Sequence, residues 1–198
     1  MAATTSPMPA WLSEWLGAPC PCREAFRRFD QLAAVAPEQM IGRWRGRSCP
    51  TGHPFDGLLE RLGWYGKAFE PPDRAHPLLF ENATGGLVAL DPRWLPVGVP
   101  GRWPGLARSA PVRAAFAAAR PLLATTRPAA ALRRVEHRGV RTTAMIYERK
   151  PIIDYFRRLA ADQLLGVMEA PGEPPYFFLL VRDGGSAEAS GHRGSRRW

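Results

Sequence analysis

Short apolar segments separated by short polar links fill the second half of the chain, and they constrain the fold more than any other feature. The segments are rich in β-branched and aromatic residues and cover 132–137, 140–147, 152–159, 163–169 and 176–182. Segments of this kind predict β-strands. Because the links are short, each strand is expected to pair with its neighbour along the chain. Strands in this up-and-down order close most easily into a barrel, since closure removes the exposed edges of the sheet.

The first half of the chain adds helices and further strands. Apolar residues at helical spacing predict a helix over 23–35 and a shorter one over 55–62. Apolar segments bounded by turn residues predict strands at 40–46, 63–69, 76–81 and 86–90. We therefore predict a mainly β fold, an antiparallel up-and-down β-barrel of about eight to ten strands, with an N-terminal helix and a helical insertion.

One barrel domain is expected to span 23–183, because the strand pattern continues on both sides of a single interruption. The interruption, about 91–128, is rich in Pro, Gly, Arg and Ala, and we interpret it as an insertion that contains an Ala-rich helix. It separates a first part of the domain, about 24–90, from a second part, about 129–183. The two ends are expected to be a flexible N-terminus and a disordered tail: 1–22 and 184–198.

The net charge of +9 is not arranged as in a nucleic-acid-binding protein. Lys67 and Lys150 are the only lysines, and the arginines are scattered along the chain instead of forming one basic stretch. We therefore expect no specific nucleic-acid partner. The chain has no apolar run of about 18 residues and no secretory signal, so we expect a cytoplasmic protein without a transmembrane segment. Transient contact with a membrane stays open.

Signatures of catalysis are missing from the sequence. It contains no nucleophile elbow, phosphate-binding loop, zinc-protease motif or dinucleotide fingerprint. Cys20, Cys22 and Cys49 lack the paired spacing of a zinc site and are expected to be reduced thiols. We expect no catalytic residue, metal or cofactor. The enzyme alternative is acid–base chemistry of the isomerase or hydratase type, in which Asp154 acts with Tyr147 or a histidine.

A haem-binding barrel is a less favoured alternative. One axial imidazole would suffice, and the chain has four histidines, His53, His76, His137 and His192. None of them lies on the last predicted strands, and His53 and His76 stand beside prolines, which is more typical of turns.

Several motifs carry a family resemblance. They are Phe29-Asp30-Gln31-Leu32, Glu38-Gln39-Met40, Gly42-Arg43-Trp44-Arg45-Gly46, Trp64-Tyr65-Gly66-Lys67, His76-Pro77-Leu78-Leu79-Phe80, Lys150-Pro151-Ile152-Ile153-Asp154-Tyr155-Phe156-Arg157 and Leu165-Gly166-Val167-Met168. The first five resemble the GXWXG proteins, and the last two resemble the partner domain of unknown function 4334. The resemblance covers roughly residues 24–183. It implies a calycin-like barrel, related in build to lipocalins and fatty-acid-binding proteins, and it implies no catalysed reaction.

The same resemblance suggests a structural role for four residues. In lipocalin-like barrels the tryptophan of a Gly-x-Trp motif on the first strand packs the closed end, often under an arginine from the last strand. Gly42, Trp44 and Gly46 form that motif here, and Arg182 occupies the place of the arginine. A guanidinium stacked on an indole contributes about 0.5–2 kcal/mol, depending on burial.

The expected function is non-enzymatic binding of a hydrophobic or amphipathic small molecule, a lipid or fatty acid, for carriage or sensing. Such a site needs mostly apolar walls and a few convergent polar groups. The candidate ligand-binding residues combine both kinds: Lys67, Arg141, Met145, Tyr147, Asp154, Phe156 and Phe178. Each polar candidate is equally compatible with a solvated outward position, because a one-residue slip in a strand inverts its faces. Lys67 stands out, since a lysine in an arginine-rich chain suggests a need for a compact ammonium.

Overall fold

The structure, a computed structural model, describes residues 6–71, 73–82, 85–94, 105 and 108–184. Its helices are α1 (Ala10–Gly17), α2 (Cys22–Asp30), α3 (Pro37–Met40), α4 (Leu58–Arg61) and α5 (Ala110–Leu123), with a 3-10 turn at Pro92–Trp94. Its strands are β1 (Gly42–Ser48), β2 (Trp64–Glu70), β3 (Arg74–Glu81), β4 (Leu87–Ala89), β5 (Ala130–His137), β6 (Val140–Tyr147), β7 (Ile153–Ala160), β8 (Gln163–Glu169) and β9 (Tyr176–Arg182). Apart from Gly184, the predicted C-terminal tail lies outside the described residues.

Eight of these strands form a closed antiparallel barrel. The sheet has the order β2-β1-β9-β8-β7-β6-β5-β3-β4, and a further pairing of β2 with β3 closes it. Strand β4 is an addition that pairs only with β3 among the described strands. The prediction of a mainly β, up-and-down barrel is therefore confirmed, as are the bounds of β6, β8 and β9.

The barrel wall is weakest between β3 and β5. Only Arg74 and Ala75 of β3 pair with β5, and beyond them β3 turns to pair with β4. Helix α5 covers this region from outside, where Phe116 contacts Phe80 with ring centroids 5.3 Å apart. Arg120 of the same helix donates a hydrogen bond of 2.5 Å to the Glu81 carbonyl. The predicted helix in the insertion is thus present.

Two apolar clusters lie on opposite sides of the wall, because alternate side chains of each strand face opposite ways. The inner cluster lines the barrel interior, and its largest members are Trp44, Trp64, Phe69, Phe80, Phe156, Tyr176 and Phe178. The outer cluster packs α1 and α2 against the outer faces of β8 and β9, and includes Leu12, Trp15, Ala25, Phe29, Leu165, Val167, Phe177 and Leu179. The barrel thus has an apolar interior and a helical layer over one side.

The expectation of a flexible N-terminus over 1–22 is wrong for the described part of that range. Residues 10–17 form α1, in which Leu12 and Trp15 are buried. Their spacing places both on one helix face. The Trp15 ring lies 5.5 Å from that of Phe177, and its indole donates a hydrogen bond of 2.9 Å to the Pro50 carbonyl. The Pro/Ala/Ser-rich composition hid this short amphipathic helix.

Trp44, near the start of β1, stacks with Arg182 at the end of β9. The Arg182 guanidinium lies 4.2 Å from the centre of the Trp44 ring, and the two residues are paired across β1 and β9. The Trp44 indole donates to the Met40 carbonyl at 2.6 Å, and Arg182 donates to the Ile41 carbonyl at 2.6 Å. Both side chains are therefore tied to the segment that leads into β1.

Gly46, the second glycine of the motif, is required because the Trp64 ring approaches the β1 backbone closely at this position. A Cβ atom on Gly46 would lie 2.2 Å from the ring of Trp64, which packs directly over the β1 backbone. Any larger residue would push that indole away. Gly42, the first glycine, has a φ of +120°, which L residues rarely adopt.

Replacing Trp44 with Ala is expected to lower the free energy of unfolding by about 3–5 kcal/mol, because a fully buried aromatic leaves a cavity. For a chain of this size that corresponds to roughly 6–20 °C in Tm, measurable by differential scanning calorimetry. Trp94→Ala is the matched control, since Trp94 is 58% exposed and its loss should leave Tm within about 2 °C. Equal Tm values for the two variants would contradict the structural role of Trp44.

Candidate functional site

A charged pair lies inside the apolar barrel. The Lys67 ammonium is 2.8 Å from Oδ2 of Asp154, and the two side chains are 4% and 0% exposed. Lys67 is on β2 and Asp154 is on β7, four strands apart in the eight-strand ring and therefore on opposite walls. The ion pair thus spans the barrel interior.

Strand alternation places both side chains there. Lys67 is paired with Trp44, and Asp154 is paired with Met145, so each shares the face of a core residue. The register of β2 against β3 shifts twice near Gly66. In an uninterrupted strand Trp64 and Lys67 would face opposite ways, and these irregularities allow both to join the inner cluster.

Two further groups contact the pair. The Tyr147 hydroxyl lies 3.5 Å from Oδ2 of Asp154, a long hydrogen bond. The Lys67 ammonium also donates to the Pro77 carbonyl at 3.2 Å. Burial raises the pKa of Tyr147 well above its ordinary value, and the nearby carboxylate raises it further, so this phenol is a neutral donor. Within the described chain, Oδ1 of Asp154 has no hydrogen-bond partner although it is fully buried.

Burial and the neighbouring charge shift the pKa of Asp154 in opposite directions. Burial raises the pKa of its carboxyl above the ordinary value, and the Lys67 ammonium and the Tyr147 hydroxyl lower it in part. The contact of 2.8 Å to Lys67 is a charge-assisted hydrogen bond, typical of an ionised pair. We therefore treat the site as a neutral ion pair in apolar surroundings.

Aromatic rings surround the ammonium. Its nitrogen lies 4.8 Å from the centre of the Phe178 ring and 5.7 Å from that of Trp64. Phe178 in turn contacts Phe156, with centroids 6.1 Å apart. Such rings attract a cation through their faces and offer apolar surface through the rest of their area.

Trp64 also separates this site from the outside. An open pocket of about 770 Å³ lies on the outer wall, and its lining includes Gly46, Ser48, Glu60, Trp64 and Tyr65. The indole of Trp64 is therefore part of both the pocket floor and the inner cluster.

Among the predicted ligand-binding residues, all but Arg141 lie buried in the barrel. Lys67, Tyr147 and Asp154 are in contact, and the apolar candidates line the same interior: Met145, Phe156 and Phe178. Arg141 shares a strand face with Met145 and Tyr147 but is exposed, opposite Glu136 beside the β5–β6 hairpin. The structure therefore does not bring Arg141 together with Lys67, Tyr147 and Asp154, because it lies four residues, about 13 Å, before Met145 along β6.

Sequence reasoning missed two features of the interior. Trp64 was seen only as part of a family motif, and the β-bulges that turn it inward leave no clear trace in the residue pattern. It also missed a second polar cluster, in which the Ser48 hydroxyl lies 2.6 Å from that of Tyr176 and donates to Glu60 at 3.1 Å. Since Glu60 also accepts from the Ser48 amide, this cluster fastens α4 to β1.

The described residues contain no group of three or more His, Cys, Asp or Glu side chains placed to hold a metal ion. His76 and His137 lie beside Glu70 and Glu169, at 3.3 and 3.0 Å. His53 packs against Tyr176, with ring centroids 5.1 Å apart. His192 is outside the described residues. The cysteines are free thiols, in agreement with their expected state.

Comparison with known proteins finds a matching family model for a segment in each half of the barrel. Residues 27–85 match the GXWXG protein family, and residues 128–182 match the domain of unknown function DUF4334. The resemblance noted in the sequence is thus confirmed. A protein from Thermomonospora curvata with a known crystal structure is 29% identical, with a TM-score of 0.63 over 87% of this chain and 96% of that one. No curated protein matches the chain.

None of the helices in the described ranges combines the length and apolar character needed to cross a membrane.

Removing one member of the ion pair is expected to cost more stability than removing both. Lys67→Met leaves a buried carboxylate without its partner and should lower the free energy of unfolding by about 3–5 kcal/mol. The double variant Lys67→Met/Asp154→Leu replaces the pair with apolar groups and should recover most of that loss. Urea denaturation of both variants measures the difference. Additive losses in the double variant would contradict the pairing.

Proposed function

We propose that this barrel, in which a GXWXG segment is joined to a DUF4334 segment, binds a lipid-like amphipathic small molecule for carriage or sensing. The polar group of the ligand would contact Lys67 and Asp154, and its apolar part would lie among the surrounding rings. The observation that carries the proposal is the buried ion pair across the interior, with one carboxylate oxygen lacking a hydrogen bond within the described chain.

The energetics of the pair support a role other than stability. Replacing a buried ion pair with well-packed apolar residues is often neutral or stabilising, because two charges lose their hydration. A barrel selected only for stability therefore has no need of Lys67 and Asp154 at its centre. A buried polar atom without a partner carries a further cost. A ligand that satisfies this atom would gain that energy on binding.

The walls around the pair suit an apolar ligand. Phe156, Phe178 and Met145 lie beside it, and methionine adapts to irregular shapes because its side chain is unbranched and flexible. A mostly apolar surface with a few convergent polar groups is the usual composition of a small-molecule site. We propose the open pocket outside Trp64 as the place where a ligand approaches the interior.

Acid–base catalysis is the second candidate, and the environment of Asp154 favours it. Burial raises the pKa of this carboxyl, and a carboxyl with a raised pKa is better suited to exchange protons near neutral pH. Tyr147 lies close enough to share in such a reaction. An enzyme of this kind would act on a molecule bound in the same place, so binding and catalysis share one site.

Native mass spectrometry with solvent extraction of the purified protein tests the binding proposal. We expect a bound apolar molecule at close to one per chain. Lys67→Arg should reduce its occupancy while the protein stays folded, as shown by its circular dichroism spectrum, because the larger planar guanidinium does not fit the place of a compact ammonium. Lys150→Arg is the matched control and should retain the ligand. Equal occupancy in wild type and Lys67→Arg would remove Lys67 from the site.

Turnover assays separate the two candidates. Under the binding proposal, enolisable ketones and α,β-unsaturated acyl compounds should show no conversion above buffer with wild-type protein. Conversion by wild type that is lost in a folded Asp154→Asn variant would instead identify an enzyme, since Asn keeps the shape of Asp but cannot exchange the proton.

A further inference from the structure

We infer that the polar group of the ligand is a neutral hydroxyl, as in a long-chain or ring alcohol, and not the carboxylate of a fatty acid. The inference rests on the proposed function and narrows its ligand class. It follows from the charge balance of the site and from the hydrogen bonds that its groups leave open.

The charge balance disfavours an anionic ligand. Lys67 and Asp154 neutralise each other across the interior, with a contact of 2.8 Å and almost no exposure to solvent. Another buried charge among the described residues, Arg157, is on the outer side of the wall, where it lies 5.3 Å from the Phe29 ring beneath α2. A ligand carboxylate would place a second anion beside Asp154 with only one cation for both. Low-dielectric surroundings make such an uncompensated charge costly.

The polar atoms at this site that lack a hydrogen-bond partner require both a donor and an acceptor from the ligand. Oδ1 of Asp154, an acceptor, has no partner within the described chain. The Lys67 ammonium has three protons, and Asp154 and Pro77 take two of them. A hydroxyl can donate to the carboxylate and accept from the ammonium at the same time. A carboxylate, an aldehyde and a ketone only accept, so each would leave Oδ1 without a donor.

The barrel wall already places a hydroxyl, that of Tyr147, beside the other carboxylate oxygen of Asp154. The Tyr147 phenol approaches Oδ2 of Asp154, and burial keeps that phenol neutral by raising its pKa. A ligand hydroxyl at Oδ1 would repeat this contact on the second oxygen. Asp154 would then accept from Lys67, from Tyr147 and from the ligand, which satisfies both of its oxygens.

The test compares 1-decanol with decanoate, two probes with the same chain length, by native mass spectrometry and tryptophan fluorescence at pH 7.5. Delipidated wild-type protein should bind decanol at least ~10-fold more tightly than decanoate. Asp154→Asn should reverse this order, because Lys67 is then an unpaired cation that can receive the carboxylate. Asp73→Asn, which removes the same charge from the outside of the barrel, should keep the wild-type order.

The outcomes separate the inference from the proposed function. Decanoate binding to wild type as tightly as decanol, or more tightly, would overturn the inference and leave ligand binding in place. Binding of neither probe would count against both. If Asp154→Asn does not fold, as shown by its circular dichroism spectrum, the wild-type ratio alone still decides the question. A wild-type preference for decanol that Asp73→Asn shares would support a hydroxyl-specific site.

Discussion

The ion pair between Lys67 and Asp154 joins the two halves of the molecule inside the barrel. Lys67 comes from the GXWXG segment and Asp154 from the DUF4334 segment, and the two meet across the interior instead of along a shared strand edge. In a second contact between the halves, Arg182 stacks on Trp44. In each contact, a cation and its partner lie far apart in the sequence and come together only when the sheet closes into the barrel. The two segments therefore build one closed barrel, and neither alone contains both members of the ion pair.

The remaining architecture isolates this pair from water. The inner rings surround the ammonium, and α5 covers the stretch where β3 and β5 separate. On the opposite side, α1 and α2 bury the outer faces of β8 and β9, so these strands are covered on both sides. A buried group in such surroundings stays ionised only when its oppositely charged partner stays close. The position of Asp154 on β7 therefore depends on packing that extends well beyond its own contacts.

The sequence predicted the barrel better than the site. Strand segments such as 140–147 and 163–169 were found at their observed bounds, because alternation and short links are local signals. The meeting of Lys67 with Asp154 was not predictable in the same way, since it depends on barrel closure and on the β-bulges around Gly66. Arg141 shares the strand face of Met145 and Tyr147, as alternation predicts, but its distance along β6 keeps it apart from the buried pair. The helix α1 was missed because its composition resembles that of a flexible terminus.

Trp64 and Lys67 belong to one short strand, and the irregular pairing between them acts as a joint. Trp64 lines the outer pocket, and Lys67 holds the carboxylate across the interior. A distortion of β2 that displaced the indole would therefore also move the backbone that carries the ammonium. If the barrel binds a ligand as proposed, entry past Trp64 would be limited by how often this strand opens locally, and not by how often the ligand collides with the protein.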